Sequence, residues 1–323
     1  MSGWIVMLIG IAVIAGLLGL TAGMIWIERR TLAWFQDRLG PNRVGPAGIL
    51  QPIADIIKLF MKEDWIPPFA DKFVFVFAPM IVAITVLFAF AVVPFTEQIK
   101  VSDANVGLLF FLGMTSLSVY SIALSGWASN SKYSLIGGLR GAAQMISYEI
   151  PMAVSLVGVV MLAGSFRLID IVNAQTGIWF IITQPLGFII FLIAGFAEAR
   201  RTPFDLPEAD SEIVAGYHTE YSSMKFALFF MGEYLDLILI SVMTTVLFLG
   251  GWHGPVYPDL SGFLPPIIWF LIKTFALIFL FIWVRAVLPR YRFDQLMGFG
   301  WKALLPLSLL NVLVTGAIAL VHS

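Results

Sequence analysis

Cysteine is absent from this chain of 323 residues, and histidine occurs only three times. Without thiolates the chain cannot by itself ligate an all-cysteine iron–sulfur cluster, close a disulfide or attach a haem through thioethers. His218, His253 and His322 fall in connectors or at the terminus, so they offer no pair inside an apolar run to hold a haem axially. The phosphate loop GxxxxGK[ST] and the HExxH zinc signature are also missing. If electrons or ATP drive this protein, a partner chain supplies the machinery for them. Charge is scarce as well: Asp, Glu, Lys and Arg make up 12% of the residues, and the net charge of -1 says nothing about partners.

What remains is apolar. With 59% hydrophobic residues, a mean hydropathy of +0.93 and repeated apolar runs, the composition excludes an ordinary water-soluble domain. The expected fold is an all-α polytopic membrane protein, one integral membrane domain over 1–323, with eight transmembrane helices and long cytoplasmic connectors. The spans are placed near 4–27, 73–94, 106–127, 147–164, 178–197, 226–250, 264–287 and 302–321. The first lacks a basic leading segment and an Ala-x-Ala cleavage site, so it reads as a retained helix rather than a signal peptide. Of the 19 Lys and Arg residues, 16 lie in the odd connectors. The positive-inside bias therefore puts those connectors in the cytoplasm and both termini outside.

The first connector, 28–72, is too long for a turn. Its breaker-rich patch from Gly40 to Gly48 precedes Ile49, Ile53, Ile56, Ile57 and Phe60 at helical spacing, with Asp55, Lys58 and Lys62 on the opposite face. Such a helix either lies in the bilayer interface or packs against a partner.

Acidic groups concentrate elsewhere. Glu198, Asp205, Glu208, Asp210, Glu212, Glu220 and Glu233 fall in one stretch, largely the connector 198–225. Ionisable groups inside a bilayer cost about 2.5–3.5 kcal/mol each at a helix centre on insertion scales, so they mark a proton, ion or substrate path. A solvated loop explains most of that stretch equally well. Glu233 decides between the two, because it sits in the apolar run FALFFMGEYL, where bulk water is a poor solvent for it. Glu28 beside Arg29 and Arg30, and Glu149 two residues before Pro151, repeat the theme, although each also suits a headgroup-level anchor. Lys273 either snorkels or neutralises an acid, Asp236 either extends the polar face of Glu233 or pairs with it, and Trp4, Trp252 and Trp269 suit an aromatic belt. A self-contained proton-coupled carrier is the competing reading. Against it, the two halves show no matching pair of Gly/Pro-broken segments.

The strings IERRTLAWFQDRLGPNRVGP, QPIADIIKLFMKED, NSKYSLIGGLRGAAQMISYE, RRTPFDLPEADSEIVAGYHTEYSSMKFALFFMGEY and LPRYRFDQLMGFGWK closely resemble the H-subunit family of bacterial NADH-quinone oxidoreductase, counterpart of mitochondrial NADH dehydrogenase subunit 1 in respiratory complex I. The likeness covers essentially the whole chain. A related membrane subunit of energy-converting hydrogenases has a similar scaffold, but the match in the connectors favours the quinone enzyme.

The resemblance implies eight helices at the junction of the membrane and hydrophilic arms, in the bacterial inner membrane. It implies cytoplasmic connectors that help build a quinone cavity, with quinone as substrate and no cofactor held by this chain. FMN and iron–sulfur clusters are expected in partner subunits, the terminal cluster next to the quinone head group, and antiporter-like membrane subunits beyond. Carried over by motif, the quinone-lining residues are Arg29, Asp55, Arg201, Phe204, Arg285, Arg290 and Arg292. The proton path takes Glu28, Glu149, Glu198, Glu208, Asp210, Glu212, Glu220 and Glu233. Asp210 stands where many relatives have glutamate, and Asp236, without a counterpart in the family pattern, is given no role.

Overall fold

Backbone N–H and C=O groups have no water to bond in a bilayer, so apolar runs of this length fold as helices that satisfy them internally. The computed structural model describes residues 3–255 and 264–322. In order the helices are α1 (Gly3–Phe35), α2 (Gln51–Met61), α3 (Lys72–Phe90), α4 (Gly107–Ala128), α5 (Lys132–Ala163), α6 (Leu168–Asn173) and α7 (Phe180–Thr183). They continue as α8 (Pro185–Glu198), α9 (Asp210–Ile213), α10 (Ser223–Phe248), α11 (Pro266–Val287), α12 (Phe293–Phe299) and α13 (Leu305–His322). No strand forms among the described residues.

Seven stretches are long and apolar enough to cross a membrane: those in α1, α3, α4, α5, α10 and α11, and the rod Phe293–Val321, in which a π-helical turn at Gly300–Leu304 joins α12 to α13. The run expected near 178–197 is broken at Gln184 into α7 and the 14-residue α8. Pro185 causes the break, because its ring disfavours a helical conformation for the residue before it and it suits the first position of the next helix. At 1.5 Å per residue α8 falls short of the about 30 Å hydrocarbon core by itself.

Two helices begin or end far from where hydropathy alone puts them. The first runs past Glu28 to Phe35, and α5 starts at Lys132, well before the expected 147. Glycines and charges made 132–146 look like a connector, but its Gly138 packs on Gly126 of α4, where an added Cβ would come within 3.1 Å of backbone. Close helix contact of this kind outweighs glycine's poor helix propensity of about 1 kcal/mol.

Largely apolar apart from Lys225, Glu233 and Asp236, α10 forms the centre, and every residue from Gly232 to Phe248 is buried. It packs on α3, α8 and α11, while α4 and α5 extend the layer from α3 towards α8 and α13. Trp252, expected in an interfacial belt, is also buried, at 5% exposure, whereas Trp4 is 75% exposed. Lys273 of α11 donates to the carbonyls of Leu249, Gly251 and His253 and lies 4.2 Å from the Trp179 ring centroid. Its ammonium thus caps the carbonyl end of α10, which the helix dipole favours, rather than neutralising an acid.

The connector between α8 and α10 lies directly on α5. A Cβ on Gly137 would approach the backbone of Gly216 and Tyr217 to 2.6 Å, and one on Gly216 would meet the Pro207 carbonyl oxygen at 1.7 Å. Gly216 also has φ +59°, which L side chains rarely adopt.

Candidate functional site: a buried acid network beside an apolar groove

Carboxylates from distant parts of the chain converge on two consecutive arginines. Arg201, 3% exposed, donates through Nη1 to both oxygens of Glu28 at 3.0 and 3.2 Å, and its Nε lies 3.0 Å from Glu233 Oε1. Its guanidinium also stands 4.4 Å from the ring centroid of Tyr234. Arg285 of α11 also bonds Glu28, at Oε1. Thus α1, α10, α11 and the 199–222 connector each supply one part of a cluster that none could hold alone. Buried ions are costly unless paired and hydrogen-bonded.

Arg200 is 1% exposed and donates to Asp236 of α10 at 2.8 Å. Glu198, two residues back, is equally buried and lies within electrostatic reach of Asp236, Glu149 and Arg200. Glu149 of α5 accepts a hydrogen bond from Ser116 of α4. On the connector, Glu208 accepts from the Tyr217 hydroxyl at 3.4 Å and lies 3.8 Å from His218 Nδ1, and Asp205 accepts from Arg290 at 2.8 Å.

The connector acids are held away from their ordinary behaviour. Burial raises the Glu208 carboxyl well above its usual value, the charges of Glu233 and Asp205 push the same way, and Arg200 and Arg201 pull against them. Burial likewise pushes Asp205 up to about 6, with Arg290 opposing through charge and hydrogen bond. Tyr217 is raised well above an ordinary phenol by burial, so it stays a hydrogen-bond donor. Since Arg290 is what restrains Asp205, Arg290→Ala is expected to move its titration above about 6. Infrared-detected carboxyl titration of the assembled enzyme, with Asp205→Asn identifying the band, reads the shift; a downward or absent shift overturns this account.

Two cavities flank the network. One, of about 390 Å³, lies between α1, α2 and α10, with Arg29, Asp55, Lys58 and Tyr234 among its polar lining and Ile25, Phe226 and Met231 among its apolar lining. Arg29 donates to Asp55 at 2.7 Å in its wall. The other, of about 590 Å³, lies between α8, α11 and α12, with Phe196, Phe204, Tyr291 and Phe299 in its wall. Behind it Gln144 donates to the carbonyls of Ala197 and Phe204 and fixes the connector's start. On α2, Ile53, Ile57 and Phe60 are exposed on the face away from the first cavity.

The sequence profile described as NADH dehydrogenase matches residues 8–316. The chain is 57% identical over 314 residues to a Geobacter metallireducens protein, named there as H subunit 1 of NADH-quinone oxidoreductase, covering 94% of this chain and 93% of that one. A Methylococcus capsulatus protein, named as the H subunit of NADH-quinone oxidoreductase, is 56% identical over 313 residues, covering 96% and 97%. A Syntrophobacter fumaroxidans protein, named as H subunit 2 of NADH-quinone oxidoreductase, is 51% identical over 326 residues, covering 98% and 96%. The chain belongs to the H-subunit family of NADH-quinone oxidoreductase. It is therefore one subunit of a multi-subunit membrane oxidoreductase.

For this member of the H-subunit family, the structure draws Glu28, Glu198, Glu208, Glu233, Arg201 and Arg285 into or beside one buried network, with Asp205–Arg290 at its edge. Glu149 sits next to it through Glu198. Other expected residues lie outside. Glu212 pairs with Arg140 at 40% side-chain exposure, Glu220 is half-buried, and Arg292 pairs with Asp294 at 77% exposure. The backbone of Asp210 begins α9, but its side chain lies outside the described residues.

Sequence reasoning gave no part to Asp236, Arg200, Tyr217, Tyr234 or His218. One signal was available: Asp236 stands one helical turn beyond Glu233, a second carboxylate in a run where even one is costly.

Proposed function

We propose that this chain forms part of the quinone chamber of a proton-translocating NADH-quinone oxidoreductase and couples quinone reduction to proton translocation through its buried carboxylates. The supporting observation is the junction of groove and network: Tyr234 lines the same groove as Arg29 and Asp55, and its ring lies under the Arg201 that binds Glu28 and Glu233. A quinone has a long apolar tail and a polar head, and the apolar lining of such a groove suits the first while the polar groups at Tyr234 suit the second.

In this reading the α7–α8 pair makes the eighth crossing, and α2 lies in the interface of the inner bacterial membrane. The charged connectors face the cytoplasm and both termini the periplasm. A partner carrying the terminal iron–sulfur cluster supplies two electrons, two protons convert quinone to quinol, and antiporter-like subunits receive the effect. Adding negative charge beside groups of low solvation shifts their protonation, because charges there are weakly screened. Moving one charge across 100 mV requires about 2.3 kcal/mol, and a pKa change of one unit is worth about 1.4 kcal/mol, so shifts of one or two units are of the right size.

A photoreactive quinone, irradiated on the assembled enzyme and mapped by mass spectrometry, tests the assignment. Label is expected on the stretches 18–29 and 224–234, competed off by native quinone. Label confined to the cavity at Phe204 and Phe299, or to other subunits, would remove the groove from the chamber.

A further inference from the structure

Of the five N–H donors on Arg200, one is bonded to Asp236 at 2.8 Å; its Nε and Nη1 are buried without a hydrogen-bond partner among the described residues. A buried guanidinium usually has its donors satisfied. Two residues earlier in the chain, Glu198 has the complementary surplus, a buried Oε2 with no partner among the described residues. Arg200 is placed there by its backbone, which takes the left-handed conformation with φ 53° immediately after the end of α8.

The surroundings of this cation fall into two groups. It feels Glu233, Glu208 and Tyr217, and Glu233 shares Arg201 with Glu28 beside the groove-lining Tyr234. The second group is Glu198, which feels Arg200, and Glu149 on α5, which acts on Glu198. Asp236 is common to both: it binds Arg200, and it is within electrostatic reach of Glu233 and of Glu198. Burial alone disfavours the Arg200 charge, but Tyr217, Asp236, Glu233 and Glu208 more than offset it, so the guanidinium stays protonated.

We infer that Arg200, anchored by Asp236, is the positioning residue through which a change of charge at Glu208 and Glu233 reaches Glu198 and Glu149. This rests on the acid path proposed above. A proton bound by Glu208 removes one of the negative charges facing Arg200. The cation's field, and the spare donors on its Nε and Nη1, then favour the ionised form of Glu198, which releases a different proton towards Glu149. Charge is conserved: one proton is taken up at Glu208, one is given off by Glu198, and Arg200 keeps its own throughout. Asp236 holds the guanidinium where both groups feel it.

The test uses the assembled enzyme. Arg200→Gln alone leaves Asp236 buried without its cation and risks failed assembly, so the informative variant is the double Arg200→Gln/Asp236→Asn, which removes both charges and keeps the side-chain shapes. Arg200→Lys, which retains the charge, is the control. Measured are assembly by native electrophoresis, quinone reduction, and protons translocated per quinone reduced in vesicles.

The expected result is an assembled double variant with quinone turnover at least tenfold lower, or with fewer protons moved per quinone, and an Arg200→Lys enzyme that keeps most of both. A double variant that matches the wild type in both readouts overturns the inference and leaves the pair a structural tie, as does an Arg200→Lys enzyme no better than the neutral pair. Normal behaviour of Glu208→Gln would instead sink the acid path as a whole, so the two failures are distinguishable.

Discussion

Replacement of Arg201 by alanine is expected to be the most damaging single change in the network. Its guanidinium is the shared partner of Glu28 and Glu233, both buried, and stands over Tyr234. Removing one member of a buried ion pair costs about 3–5 kcal/mol because the other is left uncompensated, and here two carboxylates lose the same partner. At about 1.4 kcal/mol per tenfold, that is a hundredfold or greater loss for the folded, assembled state. Arg285 still contacts Glu28, so the damage should centre on Glu233. Arg201→Lys should recover assembly only partly, since an ammonium lacks the planar fork that serves two carboxylates. The readouts are the amount of assembled enzyme in the membrane and its quinone reduction relative to NADH oxidation by an artificial acceptor. An Arg201→Ala enzyme that assembles and reduces quinone normally would show that these contacts carry neither stability nor function.

Glu208→Gln is expected to act differently, on coupling rather than assembly. The amide keeps the shape and can still accept from Tyr217, so the connector should fold. What disappears is a proton-exchanging group, one whose burial and acidic neighbours raise it well above an ordinary carboxyl. A raised acid holds its proton at a pH where an exposed glutamate has lost it, and gives it up when nearby negative charge is removed. Positioned general acids and bases contribute about 10²–10⁴-fold, so quinone reduction coupled to proton movement should fall tenfold or more while artificial-acceptor reduction is unchanged. Glu212→Gln is the useful contrast: it breaks a partly exposed ion pair with Arg140, of a kind worth about 0–1 kcal/mol, and should give the smaller loss. Equal losses from the two would show that burial in the network is not what matters.

Much of the fold was legible because hydropathy is a local property. Most of the runs expected to cross the membrane are helices of sufficient length, and Glu233 stood out because a carboxylate in an apolar run is costly wherever it points. The limits were set by what local pattern does not carry. Pairing is one such thing: Glu28 and Arg201 are 173 residues apart, and only the packing of α1 beside α10 and α11 brings them together. Helix ends are another, since glycine-rich 132–146 is helical through its contact with α4 and not through propensity. Side-chain direction is a third. The pattern leaves Asp236 either extending the polar face of Glu233 or pairing with it, but one turn of helix aims it at Arg200 instead. Glu212, indistinguishable by composition from Glu208, ends up exposed and paired with Arg140.

Gly137 and Gly216 meet with no side chain between them, backbone laid on backbone. A contact without a compliant layer cannot absorb displacement. If α5 tilts or slides, the stretch bearing Glu208 and Tyr217 must travel with it, and Glu149, seated farther along the same rod, travels too. Glu208 and Glu149 are thus fixed to a single lever, so a shift of that rod carries both acids together.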